Sequence, residues 1–414
     1  MTRRGVAAGA YPEAAATVGT IGCLMVALVV VRATPVLDRE RCADAVIWIG
    51  AAVAVTAWAG VAWRLPRFVV LVEQRVWRGS GSLTYPNAVA ALVAALALLA
   101  LALLVHRPAA VHRAAACYLL LTGLGATLSR AGLIAFAAGL LVLAPLVGVR
   151  ATLGRLLGPG LGALIAVAAL APSFPVSMGA RPGLAVTGLA VGAMVALGPG
   201  LLPGRVRPAA LAVLATAAAV AAIGVAGHLG TDVLRPVLDS RATLGSYGRS
   251  MGTRAAIEMF LANPVAGTGV GRSLLMWGTA DGHGKVALYV HDEYLQALVD
   301  LGVIGAGLLL ALLVTLARVV RAGRSQGAGR LLWPGAVAAL VALAVHSGFD
   351  FLWHIPVLPL LGGLLIGLAG RGSGTPGGRP ATGTPDPGAD PGSGPAAGIT
   401  GRANVGVLSM KGEA

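Results

Sequence analysis

The sequence is nearly without lysine. Lys285 and Lys411 are the only two, so a net charge of +15 rests on arginine. Charge of any sign is scarce, at 11% of 414 residues, where an ordinary soluble domain carries about 25%. That shortage excludes a single water-soluble globule. No basic stripe interleaved with aromatics occurs, which argues against nucleic acid as the partner of the positive charge. The three cysteines, Cys23, Cys42 and Cys117, are an odd number without a CxxC pair, so neither a disulfide framework nor a thiolate zinc site is indicated. His-x-x-His and clustered carboxylates are also missing, and neither a metal nor a cofactor is expected.

Apolar residues are abundant, at 57% of the chain with a mean hydropathy of +0.83. They gather in runs at 14–31, 43–63, 83–105, 114–128, 131–149, 156–174, 183–202, 208–227, 295–317, 332–348 and 352–370. Most have the length of about 17–25 residues that a bilayer-spanning helix needs. The fold class expected is therefore all-α, a polytopic membrane protein with about eleven or twelve transmembrane helices within 1–370. Sixty glycines suit helices that pack closely in lipid, where association depends on contact and not on water expulsion. The first run is too long for a signal peptide and lacks a small-residue cleavage site, so it reads as an anchor.

Two segments stand apart. Residues 371–414 are rich in Gly, Pro, Ser, Thr and Ala without apolar periodicity, the composition of a disordered tail. The loop 228–294 holds enough aromatic and apolar residues to fold back on the membrane domain, and long ordered loops usually carry function. Placing the tail in the cytoplasm puts the arginine-rich segment 318–330 inside, with Arg318, Arg321, Arg324 and Arg330, as the positive-inside rule requires. The loop is then external. This parity puts Arg3 and Arg4 outside, against the rule, and a missed span or re-entrant piece around Phe68–Trp77 would repair it.

Several motifs share the outer side. Tyr85-Pro86-Asn87 opens one apolar run, with proline where a helix begins. Ser129-Arg130 divides two runs too long together for one span. In the loop, residues 253–262 read as a short amphipathic helix that carries Arg254 and stops at Asn263-Pro264. Gly267-x-Gly269-x-Gly271 follows, and such a loop can either cradle a phosphate on its N–H groups or simply turn the chain. His291-Asp292-Glu293-Tyr294-Leu295-Gln296 leads into the next run, with Asp292 placed as its N-cap. His346 through His354, with Asp350 between them, lies on the same side. Arginines around one histidine suit an anionic, phosphate-bearing substrate, because guanidinium groups bind phosphate bidentately.

In order and spacing these motifs resemble the O-antigen ligase and polymerase superfamily of bacterial membrane glycosyltransferases, over about residues 83–370. The departure is Asp292, where the family usually has Asn. The resemblance implies transfer of a glycan from undecaprenyl diphosphate to an acceptor hydroxyl on a lipid, a protein or a growing polysaccharide. The reaction would take place at the outer face of the cytoplasmic membrane, without a metal. His291 would be the general base, and Arg254 and Arg130 would hold the diphosphate. Tyr85, Asn87, Ser129, Arg249, Gly269, Arg272, Asp292, Gln296 and Asp350 would contact substrate. Transport of a small solute or anion, and a non-catalytic scaffold in envelope synthesis, are the alternatives from other classes.

Overall fold

The computed structural model describes residues 3–72, 75–201, 247–278, 284–324 and 331–370. The apolar run 208–227, the first part of the loop at 228–246 and the tail 371–414 lie outside the described residues. Among the described residues are eleven helices: α1 (Arg3–Ala33), α2 (Val36–Trp63), α3 (Pro86–His106), α4 (Val111–Ala126), α5 (Arg130–Val147), α6 (Val149–Leu170), α7 (Pro182–Leu201), α8 (Tyr247–Ala262), α9 (Glu293–Gly323), α10 (Trp333–Ser347) and α11 (Val357–Ala369). Ten of the eleven expected apolar runs coincide with helices. Five stretches, Asp38–Trp63, Pro86–His106, Arg130–Val147, Val149–Ser173 and Glu293–Gly323, are long and apolar enough to cross a membrane. Val18–Ala33, Pro182–Gly198, Trp333–Ser347 and Val357–Ala369 are shorter apolar helices. A mostly helical chain with several such helices is a membrane protein by length and composition.

Helix α3 is the axis of the fold. It is apolar all round, with a mean hydropathy of 3.0 over its span, and 94% of that span is buried. A helix without a polar face has to be enclosed by other helices or by lipid, and here α2, α4, α5 and α10 surround it. Its 21 residues rise about 30 Å, the thickness of a hydrocarbon core. Small residues let the outer helices close in. Gly162 of α6 and Gly192 of α7 lie so near that a β-carbon on either would strike the other's carbonyl oxygen, the small-residue contact that lipid-embedded helices favour.

Two antiparallel hairpins depart from the all-helical expectation. The first pairs β1 (Val69–Val72) with β2 (Val76–Gly79), with Val69 opposite Gly79 and Leu71 opposite Trp77. It occupies the stretch expected to hold a missed span or re-entrant piece. Strands of four residues cover only about 13 Å, too short for a bilayer, so this stretch is not a missed span. The hairpin is tied to the end of α6, because Trp77 N–H donates to the Phe174 carbonyl at 2.8 Å. The second hairpin pairs β3 (Leu275–Gly278) with β4 (Gly284–Ala287) within the long loop.

The loop also contains α8, which begins six residues before the expected start at 253. Ala256 of α8, Leu275, Val290 and Val299 form a small core, so this layer rests directly on the first turns of α9 and the segment preceding it. Helix α9 is broken at Gly302, where φ is 61° and ψ is −156°, a conformation that costs little only for glycine. The chain at 264–269 runs into the break. Val303 N–H donates to the Pro264 carbonyl at 2.9 Å, while Thr268 and Gly269 N–H donate to the carbonyls of Val299 and Asp300, both at 2.9 Å.

Candidate active site

Four separate stretches of chain meet at one end of the bundle. Tyr85, extended at φ −134° and ψ 113°, precedes Pro86 at the start of α3, and proline restrains the residue before it to that region. Ser129 is the N-cap of α5, its Oγ accepting from Gly132 N–H at 3.2 Å. His291 lies just before α9. Its neighbour Asp292 caps that helix by accepting from the N–H groups of Tyr294 and Leu295 at 2.9 and 3.1 Å. Asp350 sits in the turn between α10 and α11. Helix ends put all four there, because side chains at successive ends of antiparallel helices alternate between the two ends of a bundle.

Asp350 is the centre. Its side chain is 0% exposed, and a buried charge costs several kcal/mol unless it is well paired, on the order of 3–5 kcal/mol if one partner is removed. Four donors reach it. His291 Nδ1 lies 2.8 Å from Oδ1, and Phe351 N–H donates to Oδ1 at 3.0 Å. Tyr85 hydroxyl donates to Oδ2 at 2.6 Å, and Asn87 Nδ2 donates to the same oxygen. Four donors match the lone pairs a carboxylate offers. Asp350 therefore works as an anchor for its neighbours and not as a substrate ligand, which corrects the sequence expectation for this residue.

His291 is different, with 36% of its side chain exposed. The carboxylate accepts from Nδ1, so the proton of the neutral ring sits on Nδ1 and the lone pair on Nε2. Among the described residues His291 makes no other hydrogen bond. An imidazole held through one nitrogen and open at the other can take a proton from a hydroxyl. Its ring also lies 5.2 Å from that of Phe351, which stacks on Tyr85 at 5.3 Å.

A second pair crosses the first. Glu293 of α9 is buried, accepts from Trp353 N–H, and lies 3.4 Å from His354 Nδ1. The segments 291–293 and 350–354 thus each contribute one histidine and one carboxylate to the other. His354 packs on Tyr289 at 4.1 Å between ring centroids, and Tyr289 on Phe351 at 5.5 Å. The sequence motifs give neither His354 nor Glu293 a role of its own. Among the described residues no three His, Cys, Asp or Glu side chains converge as metal ligands.

The remaining expected residues separate into groups. Asn87 and Ser129 join the network: Ser129 Oγ donates to Asn87 Oδ1 at 2.9 Å, and both are buried. Arg130 is half-buried at the first turn of α5, next to Ser129. Gln296 is only 2% exposed. Its Oε1 accepts from Val290 N–H at 2.6 Å, and its Nε2 donates to Ser273 Oγ at 3.1 Å and to Asp300 Oδ2 at 3.0 Å. It fixes the backbone beside His291, a correction to its expected role in substrate contact. Asp292 likewise serves as a cap, as its position implied.

Arg254 is not brought to His291. Ala256, Met259 and Phe260 turn toward the core of the loop layer, and Arg254, two residues from Ala256, lies about 200° round the helix from it. It is 75% exposed and pairs with Glu258 at 3.1 Å. The Gly-x-Gly-x-Gly loop is also corrected as a phosphate cradle. The N–H groups of Gly267, Thr268 and Gly269 donate to the carbonyls of Asn263, Val299 and Asp300, so the first closes a local turn and the other two dock the loop to α9. Arg272 is exposed, its side chain lying over Gly269. Arg249 lies in α8, and its side chain is outside the described part.

One residue of the network was missed altogether. Arg78 of β2 donates from Nη2 to Asn87 Oδ1 at 2.8 Å and from Nε to the Thr127 carbonyl at 2.8 Å. Its signal in the sequence was only the alternation of Val76-Trp77-Arg78-Gly79. No family model matches the sequence, and no curated protein matches it.

Proposed function

We propose that the protein is a membrane glycosyltransferase of the O-antigen ligase and polymerase type. In this reading it has about eleven or twelve spans, and the His291 end of the bundle faces the outside of the cytoplasmic membrane. The observation that carries it is the His291–Asp350 pair, a half-exposed imidazole held at 2.8 Å by a fully buried carboxylate. The donor is a glycan on undecaprenyl diphosphate, and the acceptor is a hydroxyl of a lipid, a protein or a growing polysaccharide. The acceptor oxygen attacks the anomeric carbon while the bond from that carbon to the phosphate oxygen breaks. The electron pair leaves on the diphosphate, and the hydroxyl proton passes to His291 Nε2. Direct displacement inverts the anomeric centre. Arg130, at the first turn of α5 beside the network, is the guanidinium best placed along the chain to neutralise the leaving diphosphate.

Transport of a small solute or anion is the competing reading, and the break in α9 is the feature that favours it, since broken helices line many transport sites. Here the backbone of Val265 fills the break, which leaves no room there for a solute. The test is release of undecaprenyl diphosphate and transfer of glycan by purified, reconstituted protein supplied with lipid-linked glycans from its own host. Wild type is expected to release and transfer, and His291→Ala to lose about 10²–10⁴-fold, the usual size of general-base catalysis. No release from a donor pool that a known transferase consumes would overturn the reading.

A further inference from the structure

The orientation of His291 depends on Asp350, and that of Asp350 on an amide that has two faces. Asn87 is buried, with Oδ1 and Nδ2 nearly identical in shape. In the observed setting Nδ2 donates to Asp350 and lies 3.4 Å from the Tyr85 hydroxyl, while Oδ1 accepts from Ser129 Oγ and from Arg78 Nη2. Turning the amide over would set its oxygen against the carboxylate. The hydroxyls of Ser129 and Tyr85 do not choose between the two settings, because a hydroxyl both donates and accepts. A guanidinium only donates. Asp350, which only accepts, and Arg78, which only donates, therefore select the same setting from opposite ends of the amide, and Arg78 holds the oxygen end. Its own place is set by the bond from Nε to the Thr127 carbonyl in the turn between α4 and α5.

We propose that Arg78 is a positioning residue: from the hairpin β1–β2 it fixes the Asn87 amide, and through Asn87 and Asp350 it holds the His291 ring in its Nδ1-protonated form with Nε2 toward substrate. The hairpin is thereby a part of the site and not a surface ornament on the bundle. The catalytic consequence rests on the glycosyltransferase reading, and the effect on the ring does not.

The experiment reads both. Full-length protein labelled with ¹⁵N-histidine is placed in nanodiscs, the His291 signals are assigned by their loss in His291→Gln, and the tautomer is read from the ring nitrogen shifts of the neutral form. Wild type is expected to show protonated Nδ1 and bare Nε2. Arg78→Gln, which can accept as well as donate, is expected to bring in the Nε2-protonated form, and Arg78→Lys, a donor only, to restore the wild-type pattern. Asn87→Leu cuts the connection, and Arg78→Gln added to it is expected to change nothing more, as a coupled pair requires. In the transfer assay Arg78→Gln is expected to lower kcat about 10–100-fold, the range for partners that orient a reacting group, with donor KM unchanged and Arg78→Lys recovering most of the loss.

A wild-type tautomer in folded Arg78→Gln, or a full additive effect in the double variant, would overturn the proposal whatever the activity. Should Arg78→Gln not fold, Asn87→Leu alone decides, since an unchanged ring there sinks the relay. A ring that responds as expected in a protein that transfers no glycan would leave the positioning role standing and remove the glycosyltransferase reading.

Discussion

Two buried polar clusters, one at each end of the helices, solve the same problem in different ways. At the end away from His291, Arg113 of α4 is 3% exposed and is bound by Asp44 through Nε and Nη2 at 2.9 and 2.7 Å and by Glu40 at 2.6 Å. Glu40 takes a further bond from Arg107 at 3.0 Å. Charges of opposite sign are satisfied directly, and the group closes on itself. Around Asp350 the donors are instead a phenol, an amide, a backbone N–H and an imidazole. That cluster ends in a ring with 36% of its surface open. An ion pair closed on itself holds helices together, whereas a buried charge that holds a half-open titratable ring has the form of a reactive site.

The strongest way to break this comparison is Asp350→Asn. The amide keeps the volume but offers an N–H to His291 Nδ1, which drives the ring to the wrong tautomer. In the glycosyltransferase reading, glycan transfer is expected to fall by about 10²–10⁴-fold in protein that still elutes as a single folded species. A transfer rate near wild type would show that the carboxylate is as purely structural as Asp44.

Arg113→Ala should do the opposite. It takes the guanidinium from Asp44 and leaves Glu40 with Arg107 alone, and because both carboxylates are partly exposed the cost is expected to fall below the roughly 3–5 kcal/mol of a fully buried pair, to about 2 kcal/mol, read as a lower thermal transition and a smaller folded yield. Each folded molecule is expected to keep the wild-type turnover. A loss of turnover per folded molecule would mean that the two ends of the bundle are coupled.

Gln296→Leu lies between the two. It removes the acceptor for Val290 N–H and the donor to Asp300, and it is expected to cost about 1–3 kcal/mol for buried groups left unpaired, seen in a thermal melt. Because Val290 adjoins His291, kcat should also fall, by about tenfold on the scale of orienting contacts. Lost stability with unchanged kcat would separate the backbone at 290 from the reacting ring.

Much of the bundle was legible because its cause is local: an apolar run of sufficient length has to become a helix in lipid. The meeting of Tyr85, Asn87, Ser129, His291 and Asp350 was legible from parity, since alternate helix ends gather at one end. Side-chain direction was not. Gln296 has the residue type of a sugar ligand, but the phase of α9 buries it, and of the glycine loop's N–H groups that of Gly267 goes to the Asn263 carbonyl while those of Thr268 and Gly269 go to the turn before Gly302. Arg78 was hidden because its partner is reached through a hairpin whose short alternating strands carry too weak a pattern to separate from a stray apolar segment.

Arg254→Ala sharpens the comparison from outside both clusters. The family resemblance implies that Arg254 holds the diphosphate, whereas the phase of α8 turns it away from the layer that rests on Val290, into an exposed pair with Glu258 four residues on. Such a pair is worth about 0.3–0.5 kcal/mol, so the thermal transition should hardly move. Turnover should fall far less than in Arg130→Ala, whose guanidinium opens α5 beside Ser129. A loss in Arg254→Ala as large as in Arg130→Ala would show that α8 swings its outer face onto the donor during the reaction. The clamp between 264–269 and the broken turn of α9 would then be the hinge, and Gly302→Ala, whose β-carbon would strike the Val265 backbone and force the clamp apart, would change transfer as well.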